Sequence, residues 1–161
     1  MRGLLKGVEH LHMKNYVHRD LKPDNVLVGS LDDLETVKLA DFGLSASYRY
    51  KVGYELKEKM GTAIFMAPEQ INRKTYSKRV DMWACGIIMY MLIEGRHPLY
   101  ETGDSEVKFL EKLKNPDWKF SSCFTEMATD LFLKLCTKTS VERYSANRAL
   151  EHPWITRNFE T

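Results

Sequence analysis

Apolar residues recur at helical spacing near the start of the chain, where Leu4, Val8 and Leu11 would share one face of a helix. Residues 2–13 are therefore predicted to form an amphipathic helix. No capping residue precedes this pattern, which is already in progress at Met1. We take this as a sign that the chain begins inside a helix of a longer protein.

Two short apolar, β-branched runs follow, Val26–Val28 and Val37–Leu39, and the segment "GSLDDLET" between them is rich in turn-forming residues. This arrangement predicts a small two-stranded hairpin. Residues 44–60 mix Ser, Tyr, Lys and Glu without clear periodicity. They are predicted to form a long surface loop, and loops of that length are commonly functional or mobile.

The second half of the chain is predicted to be helical. Residues 80–93 are apolar on nearly every face, which is typical of a helix at the centre of a domain. Amphipathic patterns predict further helices over residues 105–113, 125–136 and 144–150. The expected fold class is α+β and mostly α, a helical bundle around a buried central helix with a small β-hairpin near its start.

Composition limits the kind of protein. The 161 residues suit one domain, residues 1–161, and 43% apolar with 29% charged residues is typical of a soluble globular protein. A net charge of +2 is too balanced to indicate nucleic acid or a membrane as partner. Three cysteines without C-x-x-C spacing, Cys85, Cys123 and Cys136, indicate a reduced intracellular protein, which we expect to be cytoplasmic. We assign all three to core packing.

A dense cluster of charged and hydrogen-bonding side chains occupies the stretch "HRDLKPDN", residues 18–25. It offers a carboxylate at Asp20, an ammonium group at Lys22 and an amide at Asn25, while Pro23 stiffens the loop. A neighbouring cation lowers the pKa of a carboxylate, which suits phosphoryl transfer better than general-base hydrolysis. In phosphoryl transfer the acid orients a hydroxyl, and the cation offsets charge on the moving group.

A second acid, Asp41, follows the predicted strand Val37–Leu39 and precedes a phenylalanine and a glycine in "ADFGL". Carboxylate and amide oxygens are ligands that Mg²⁺ accepts, so Asp41 and Asn25 would make a divalent-metal pair. Taken singly, Asp20, Asn25 and Asp41 also fit ordinary turn or capping residues. Their combination favours the catalytic interpretation.

The motifs "HRDLKPDN", "DFG", "APE" and "DMWACG", in this order and spacing, resemble the eukaryotic protein kinase family. The resemblance covers the whole chain and implies the large C-terminal lobe of a kinase. It implies ATP and Mg²⁺ as cofactors and a protein or peptide with a Ser/Thr acceptor as substrate. The form "LKPDN" is the serine/threonine version of the catalytic loop.

The resemblance also implies roles for individual residues in the active site. Asp20 resembles the catalytic base and Lys22 the lysine that touches the transferring phosphate. Asn25 and Asp41 resemble the Mg²⁺ ligands that hold ATP. The remaining matches are the apolar floor under adenine and the threonine that links the base to the lysine: Leu27 and Thr62.

Other matched residues are structural in the family. His18 and Phe42 resemble lower members of a stacked regulatory spine, and Asp81 resembles its anchor on the central helix. Glu69 and Arg143 resemble a buried ion pair that ties the "APE" segment to the last helices. Breaking one partner of such a pair typically costs about 3–5 kcal/mol.

Within the family, the segment "MGTAIFMAPEQI" resembles the calcium/calmodulin-dependent and calcium-dependent protein kinase group. Arg19 precedes the catalytic aspartate, an arrangement associated with control by the activation loop. Glu58 stands where relatives often carry a phosphorylated threonine, and we hypothesise that it pairs with Arg19 in place of the phosphate. Hydroxyl groups in the same loop are candidate phosphorylation sites, although composition favours plain solvation: Ser45, Ser47, Tyr48, Tyr50 and Tyr54.

Protein kinases bind ATP partly through a separate small lobe, which supplies a glycine-rich loop and a lysine on a β-strand. Residues 1–161 contain no counterpart of that loop or of that lysine. We therefore expect that the small lobe, the hinge and the first large-lobe helix are missing, and that these residues alone are inactive. We expect self-association through the exposed inter-lobe surface. Complementation by a small lobe on another chain is a more remote hypothesis. The alternative function is a truncated, non-catalytic kinase-like binding module.

Overall fold

A computed structural model of the protein describes residues 1–30, 32–33, 36–47, 56–72 and 74–157. Tyr48, Tyr50 and Tyr54, the candidate phosphorylation sites of the long loop, lie outside the described residues. The helices are α1 (Arg2–Met13), α2 (Pro68–Ile71), α3 (Arg79–Glu94), α4 (Glu106–Lys114), α5 (Glu126–Leu135), α6 (Ala146–Leu150) and α7 (Pro153–Thr156). The strands are β1 (Tyr16–Val17), β2 (Val26–Val28), β3 (Val37–Leu39) and β4 (Ala46–Ser47). The expected mostly α fold class is confirmed.

Helix α3 lies at the centre of the core, and residues 80–90 are all buried. It packs against α1 and α5, so it has apolar neighbours on several sides. A Cβ atom on Gly86 would lie 2.5 Å from the Sγ atom of Cys136, which explains how closely α3 approaches the end of α5. The helix ends at Gly95, whose φ of 69° is the left-handed conformation that glycine adopts readily.

The predicted amphipathic helices are confirmed with boundaries shifted by one or two residues. Hydroxyl side chains cap three of them, since Ser105, Thr125 and Ser145 accept hydrogen bonds from backbone N–H groups three residues later. Each cap satisfies a donor that the first helical turn leaves unpaired. The short helices α2 and α7 were not predicted, because four residues carry too little periodicity.

The hairpin between β2 and β3 is confirmed, with Val26 opposite Leu39 and Val28 opposite Val37. A second antiparallel pair joins β1 to β4, with Val17 opposite Ala46. The prediction of a continuous loop over residues 44–60 is therefore wrong at β4. Strands of two residues are too short to show alternation, and their pairing depends on distant packing.

The assignment of Cys123 to the core is wrong, because its side chain is exposed. It lies in the turn before α5, where the next residue, Phe124, takes the core position. Cys85 and Cys136 are buried as expected, and burial raises the pKa of both thiols far above the usual value. In the part of the chain that the structure describes, no helix is long and apolar enough to cross a bilayer.

Candidate functional site

The carboxylate of Asp20 is held in one orientation by Thr62. Its Oδ1 atom accepts hydrogen bonds from the backbone N–H of Thr62 at 2.7 Å and from the Thr62 hydroxyl at 2.8 Å. The second oxygen, Oδ2, lies 3.2 Å from the ammonium group of Lys22. Lys22 also donates to the Thr62 hydroxyl at 3.1 Å, which closes a ring of three side chains. The predicted grouping of Asp20, Lys22 and Thr62 is thus present.

The surroundings of Asp20 act on its pKa in opposite directions. Partial burial would raise the pKa, but hydrogen bonds from Thr62 and the adjacent Lys22 ammonium outweigh it and hold the pKa below the usual value. The group is therefore ionised near neutral pH. An ionised carboxylate is a hydrogen-bond acceptor and can orient a hydroxyl group.

Gly61 makes the contact between the two segments possible. Its φ is 112°, and a Cβ atom there would lie 2.3 Å from the carbonyl oxygen of Arg19. Any larger residue would push the segment that carries Thr62 away from the loop that carries Asp20. The glycine therefore sets the geometry of the ring described above.

Asn25 and Asp41 present oxygen atoms of the kind that Mg²⁺ binds. The Nδ2 group of Asn25 donates to the carbonyl oxygen of Asp20 at 2.9 Å, so the amide oxygen is the end left for a cation. Asp41 is exposed with a φ of 58°, and its Oδ1 atom accepts from the N–H of Gly43 at 3.2 Å. Across the described residues, no cluster of three or more His, Cys, Asp or Glu side chains suits a metal. Two protein oxygens fit Mg²⁺, which keeps water and phosphate ligands.

Asp81 anchors the loop to the central helix. Its buried carboxylate accepts from the backbone N–H groups of His18 at 2.9 Å and Arg19 at 3.0 Å. The ring of His12 on α1 contacts the same carboxylate at 2.8 Å. Arg19 has a φ of 70°, a left-handed backbone conformation that costs free energy in a residue other than glycine and that these bonds help to hold. The role of His12 was missed in the sequence, where nothing marks a histidine 69 residues away from its partner.

The rings of His18 and Phe42 are in contact as expected, with centroids 5.1 Å apart and planes tilted by 49°. His18 is fully buried, and its Nε2 contacts the carbonyl oxygen of Ala40 at 2.9 Å. Phe42 is 50% exposed, and Leu27 on β2 is 52% exposed. These two large apolar side chains are close in the chain to Asn25 and Asp41. No described residue covers their exposed halves.

The expected pair of Arg19 and Glu58 is formed, with Nη1 of Arg19 2.9 Å from Oε2 of Glu58. The arginine side chain is 8% exposed and the glutamate side chain 69% exposed. Arg19 also donates from Nε to the carbonyl oxygen of Leu44. The guanidinium group therefore joins the two ends of the long loop to the segment that carries Asp20.

The expected ion pair of Glu69 and Arg143 is formed as a bidentate contact, with N···O distances of 2.7 and 3.1 Å. The Arg143 guanidinium group also lies 5.2 Å from the centroid of the Trp83 ring and donates to the carbonyl oxygen of Thr137. This pair ties α2 to the segment before α6 across α3.

His97, which no sequence pattern marks, organises the segment after Thr62. Its Nε2 atom contacts the carbonyl oxygen of Ile64 at 2.9 Å, while Nδ1 accepts from the backbone N–H groups of Leu99 and Tyr100. These partners require the neutral tautomer with the proton on Nε2. Burial is the main cause that lowers the pKa of His97 to about 4.

Comparison with known proteins agrees with this geometry. The family described as protein kinase domain matches residues 1–155. A probable myosin light chain kinase of Dictyostelium discoideum is 38% identical over 159 residues, covering 96% of this chain and 32% of that protein. Calcium-dependent protein kinase 4 of Plasmodium berghei and that of Plasmodium falciparum are each 36% identical over 160 residues, covering 96% of this chain and 29% of those proteins. The chain spans about a third of the length of these curated relatives.

Proposed function

This chain belongs to the protein kinase family, and we propose that it carries the catalytic loop of a serine/threonine protein kinase. The proposed reaction transfers the γ-phosphoryl group of ATP to a serine or threonine hydroxyl of a protein substrate. The observation that supports it most strongly is the fixed carboxylate of Asp20. Thr62 holds it by hydrogen bonds of 2.7 and 2.8 Å, and Lys22 forms an ion pair with it at 3.2 Å.

In this proposal Asp20 orients the acceptor hydroxyl and takes its proton. Its Oδ1 atom is occupied by two Thr62 donors, so Oδ2 is the atom available to the substrate. Lys22 lies against the same oxygen and places positive charge where the phosphoryl group would gather negative charge. Phosphoryl transfer depends mainly on such positioning and charge stabilisation.

Asn25 and Asp41 are the residues that would hold Mg²⁺, through the amide oxygen and the carboxylate. Bound Mg²⁺ supplies positive charge that neutralises the phosphate oxygens. The exposed apolar surface of Leu27 would lie against the adenine ring. Asn25 has a second task, because its amide group fixes the backbone of Asp20.

The preference for Ser/Thr over Tyr is part of the proposal. The motif "LKPDN" supports it, and so does the bridge in which the Thr62 hydroxyl donates to Asp20 and accepts from Lys22. Lys22, two residues after Asp20, would lie close to the hydroxyl group of the substrate that accepts the phosphoryl group. We expect a serine peptide to be phosphorylated and its tyrosine counterpart to remain unmodified.

We further propose that residues 1–161 have no kinase activity when expressed alone. The sequence contains no G-x-G-x-x-G loop over the phosphates. The contacts of Asp20, Lys22 and Asn25 alone leave most of the nucleotide unbound. Turnover of a peptide by residues 1–161, abolished in Asp20→Asn, would overturn this part of the proposal.

The proposal also includes a reducing intracellular location, in the cytoplasm. Cys85 and Cys136 are both buried and free as thiols, which suits a compartment where disulfides do not form. Fractionation of cells that express the tagged protein tests this point, and recovery from the secreted fraction would contradict it.

The central experiment measures peptide phosphorylation by the enzyme that carries both lobes, with Asp20→Asn as the test variant. Asparagine keeps the shape of the side chain but accepts a proton poorly, so kcat should fall by about a hundredfold or more. Asp117→Asn, an exposed substitution far from Thr62 in the chain, is the matched control and should leave kcat unchanged. Equal kcat for Asp20→Asn and wild type would refute the role of Asp20.

A further inference from the structure

An open groove of about 600 Å³ lies between α2 and α4, and its floor is apolar. Pro68 and Ile71 contribute from α2, and Val107 and Leu110 contribute from α4. Val107 is 67% exposed, whereas Phe109 and Leu113 on the same helix are buried. The volume is within the range of sites that take up large side chains of a ligand.

The rim of this groove is formed largely by lysines, namely Lys59, Lys74, Lys114 and Lys138. Of the described residues that line the groove, one is acidic, Glu111. We call the whole surface, floor and rim together, the lysine-rimmed groove. Its charge is therefore strongly positive, in a chain whose total charge is only +2.

A smaller depression of about 250 Å³ continues the lysine-rimmed groove, sharing Pro68, Lys74 and Lys138 with it. The acid that lines this extension, Glu69, is neutralised by its bidentate pair with Arg143. The extension therefore adds length without reducing the positive charge.

Two of the rim lysines already have partners. Lys138 donates to the backbone carbonyl oxygen of Lys114, and Lys59 contacts the carboxylate of Glu106 at 2.9 Å. This contact shows that a carboxylate is accepted at the rim beside α4. Glu106 is 64% exposed in its side chain, so an incoming carboxylate could replace it with little rearrangement. Exposed ion pairs of this kind are weak and exchange readily.

We infer that the lysine-rimmed groove is a docking site for an acidic segment of a partner protein, which inserts an apolar side chain between flanking carboxylates. Burial of that side chain on Pro68, Ile71, Val107 and Leu110 supplies the main affinity. The lysines set orientation and reject basic segments. None of the described residues that line the groove is an aromatic residue on which a base could stack, which disfavours a single-stranded nucleic acid.

This docking site goes beyond the proposed function. None of Asp20, Lys22, Asn25 and Asp41 lines the lysine-rimmed groove, so docking needs neither ATP nor catalysis. Lys59 directly follows Glu58 in the chain, which places the rim next to the segment held by Arg19. A partner bound here would be tethered close to the catalytic loop.

Fluorescence anisotropy with three labelled peptides tests the inference on the purified protein in the absence of ATP. The probe has a Leu-Phe pair between glutamates, the first control replaces Leu-Phe by Ser-Ser, and the second replaces the glutamates by lysines. We expect the probe to bind about tenfold or more tightly than either control, and to weaken as salt concentration rises.

Two substitutions with matched controls locate the binding. The double variant Lys74→Glu with Lys114→Glu should weaken the probe about tenfold or more, whereas Lys14→Glu with Lys119→Glu makes the same charge change outside the groove and should not. Val107→Asp removes an exposed apolar contact in the first turn of α4, where an acid suits the helix. Its control is Leu92→Asp on α3, because both wild-type side chains are 67% exposed.

Several results would overturn the inference. They are equal binding of the Leu-Phe and Ser-Ser peptides, equal loss in the control and test double variants, and no binding of the probe at millimolar concentration. Lysine-dependent binding to phosphatidylserine vesicles without binding of the probe would instead identify a membrane surface. The variant Asp20→Asn should keep full probe affinity, so failure of docking and failure of the proposed kinase activity can be told apart.

Discussion

The guanidinium group of Arg19 donates to the carboxylate of Glu58 at 2.9 Å, and the two residues are 39 positions apart in the chain. A carboxylate thus occupies the place that the family resemblance assigns to a phosphorylated residue. Because Glu58 is 69% exposed in its side chain, the pair should contribute only about 0–1 kcal/mol to folding stability. Its expected effect is therefore on the arrangement of the segment rather than on the fold.

Glu58→Lys should lower kcat/KM of the enzyme that carries both lobes by about tenfold, because two cations would then face each other near Asp20. Glu58→Gln should give a smaller loss, since it removes the charge without adding repulsion. The measurement is steady-state peptide phosphorylation, together with urea unfolding to confirm that stability is retained. Glu142→Lys, at an exposed acid elsewhere, serves as the control, and unchanged kinetics for Glu58→Lys would disprove the hypothesis.

The pair of Glu69 and Arg143 should behave in the opposite way and affect stability. Glu69→Gln leaves the Arg143 guanidinium group, which is 1% exposed, without its counter-charge. The free energy of unfolding should fall by about 3–5 kcal/mol. Urea denaturation monitored by tryptophan fluorescence measures this loss. The exposed Glu151→Gln is the control, and equal midpoints for the two variants would show that the pair is dispensable.

His97 should make stability depend on pH below neutrality. Its pKa is lowered from 6.5 to about 4 in the fold, so between these values the unfolded chain binds a proton that the folded chain does not. Stability is therefore fully present above pH 6.5 and is lost as pH falls toward 4, by on the order of 3 kcal/mol. Urea unfolding at a series of pH values measures the slope.

The control for His97 is His97→Asn, because asparagine can still accept from the N–H groups of Leu99 and Tyr100 but does not titrate. This variant should be less stable at pH 7, since the contact with Ile64 is lost, and its pH slope should be smaller. Parallel pH curves for the two proteins would contradict the role of His97.

The exposed apolar side chains beside the catalytic loop should promote self-association of residues 1–161. Leu27, Val28 and Phe42 are each about half exposed, at 52, 48 and 50%. Leu27→Lys with Phe42→Ser should shift the protein toward monomer in light scattering coupled to size-exclusion chromatography. Leu92→Lys with Leu133→Ser, at exposed apolar positions on α3 and α5, should have no such effect. A monodisperse wild-type monomer would refute this prediction.

The helices α1, α3, α4, α5 and α6 could be predicted from the sequence because their signals are local. The continuous apolar run of α3 and the capping residues Ser105 and Thr125 act within a few positions of the element they define. The hairpin of β2 and β3 was likewise predicted from adjacent runs and a turn. The pairing of β1 with β4 could not be predicted, because the two strands are about thirty residues apart in the chain and each contains only two residues.

The candidate site could be predicted in part because its motif concentrates Asp20, Lys22 and Asn25 in one loop. The contacts of Thr62 and Asp81 with this loop required the family resemblance, because each crosses more than forty positions. His12 and His97 escaped prediction altogether. Their hydrogen bonds depend on tertiary packing, and a buried histidine shows no local pattern that separates it from an exposed one.

Asp81 has a consequence for any attempt to move the catalytic loop into another protein. The loop presents the backbone N–H groups of His18 and Arg19 toward the central helix, and a single carboxylate accepts both. A transplant of residues 18–25 alone would leave these two donors buried and unsatisfied, and the strained φ of Arg19 would have no compensating bond. The smallest portable unit is therefore the loop together with the acid of α3, joined across 62 residues of sequence.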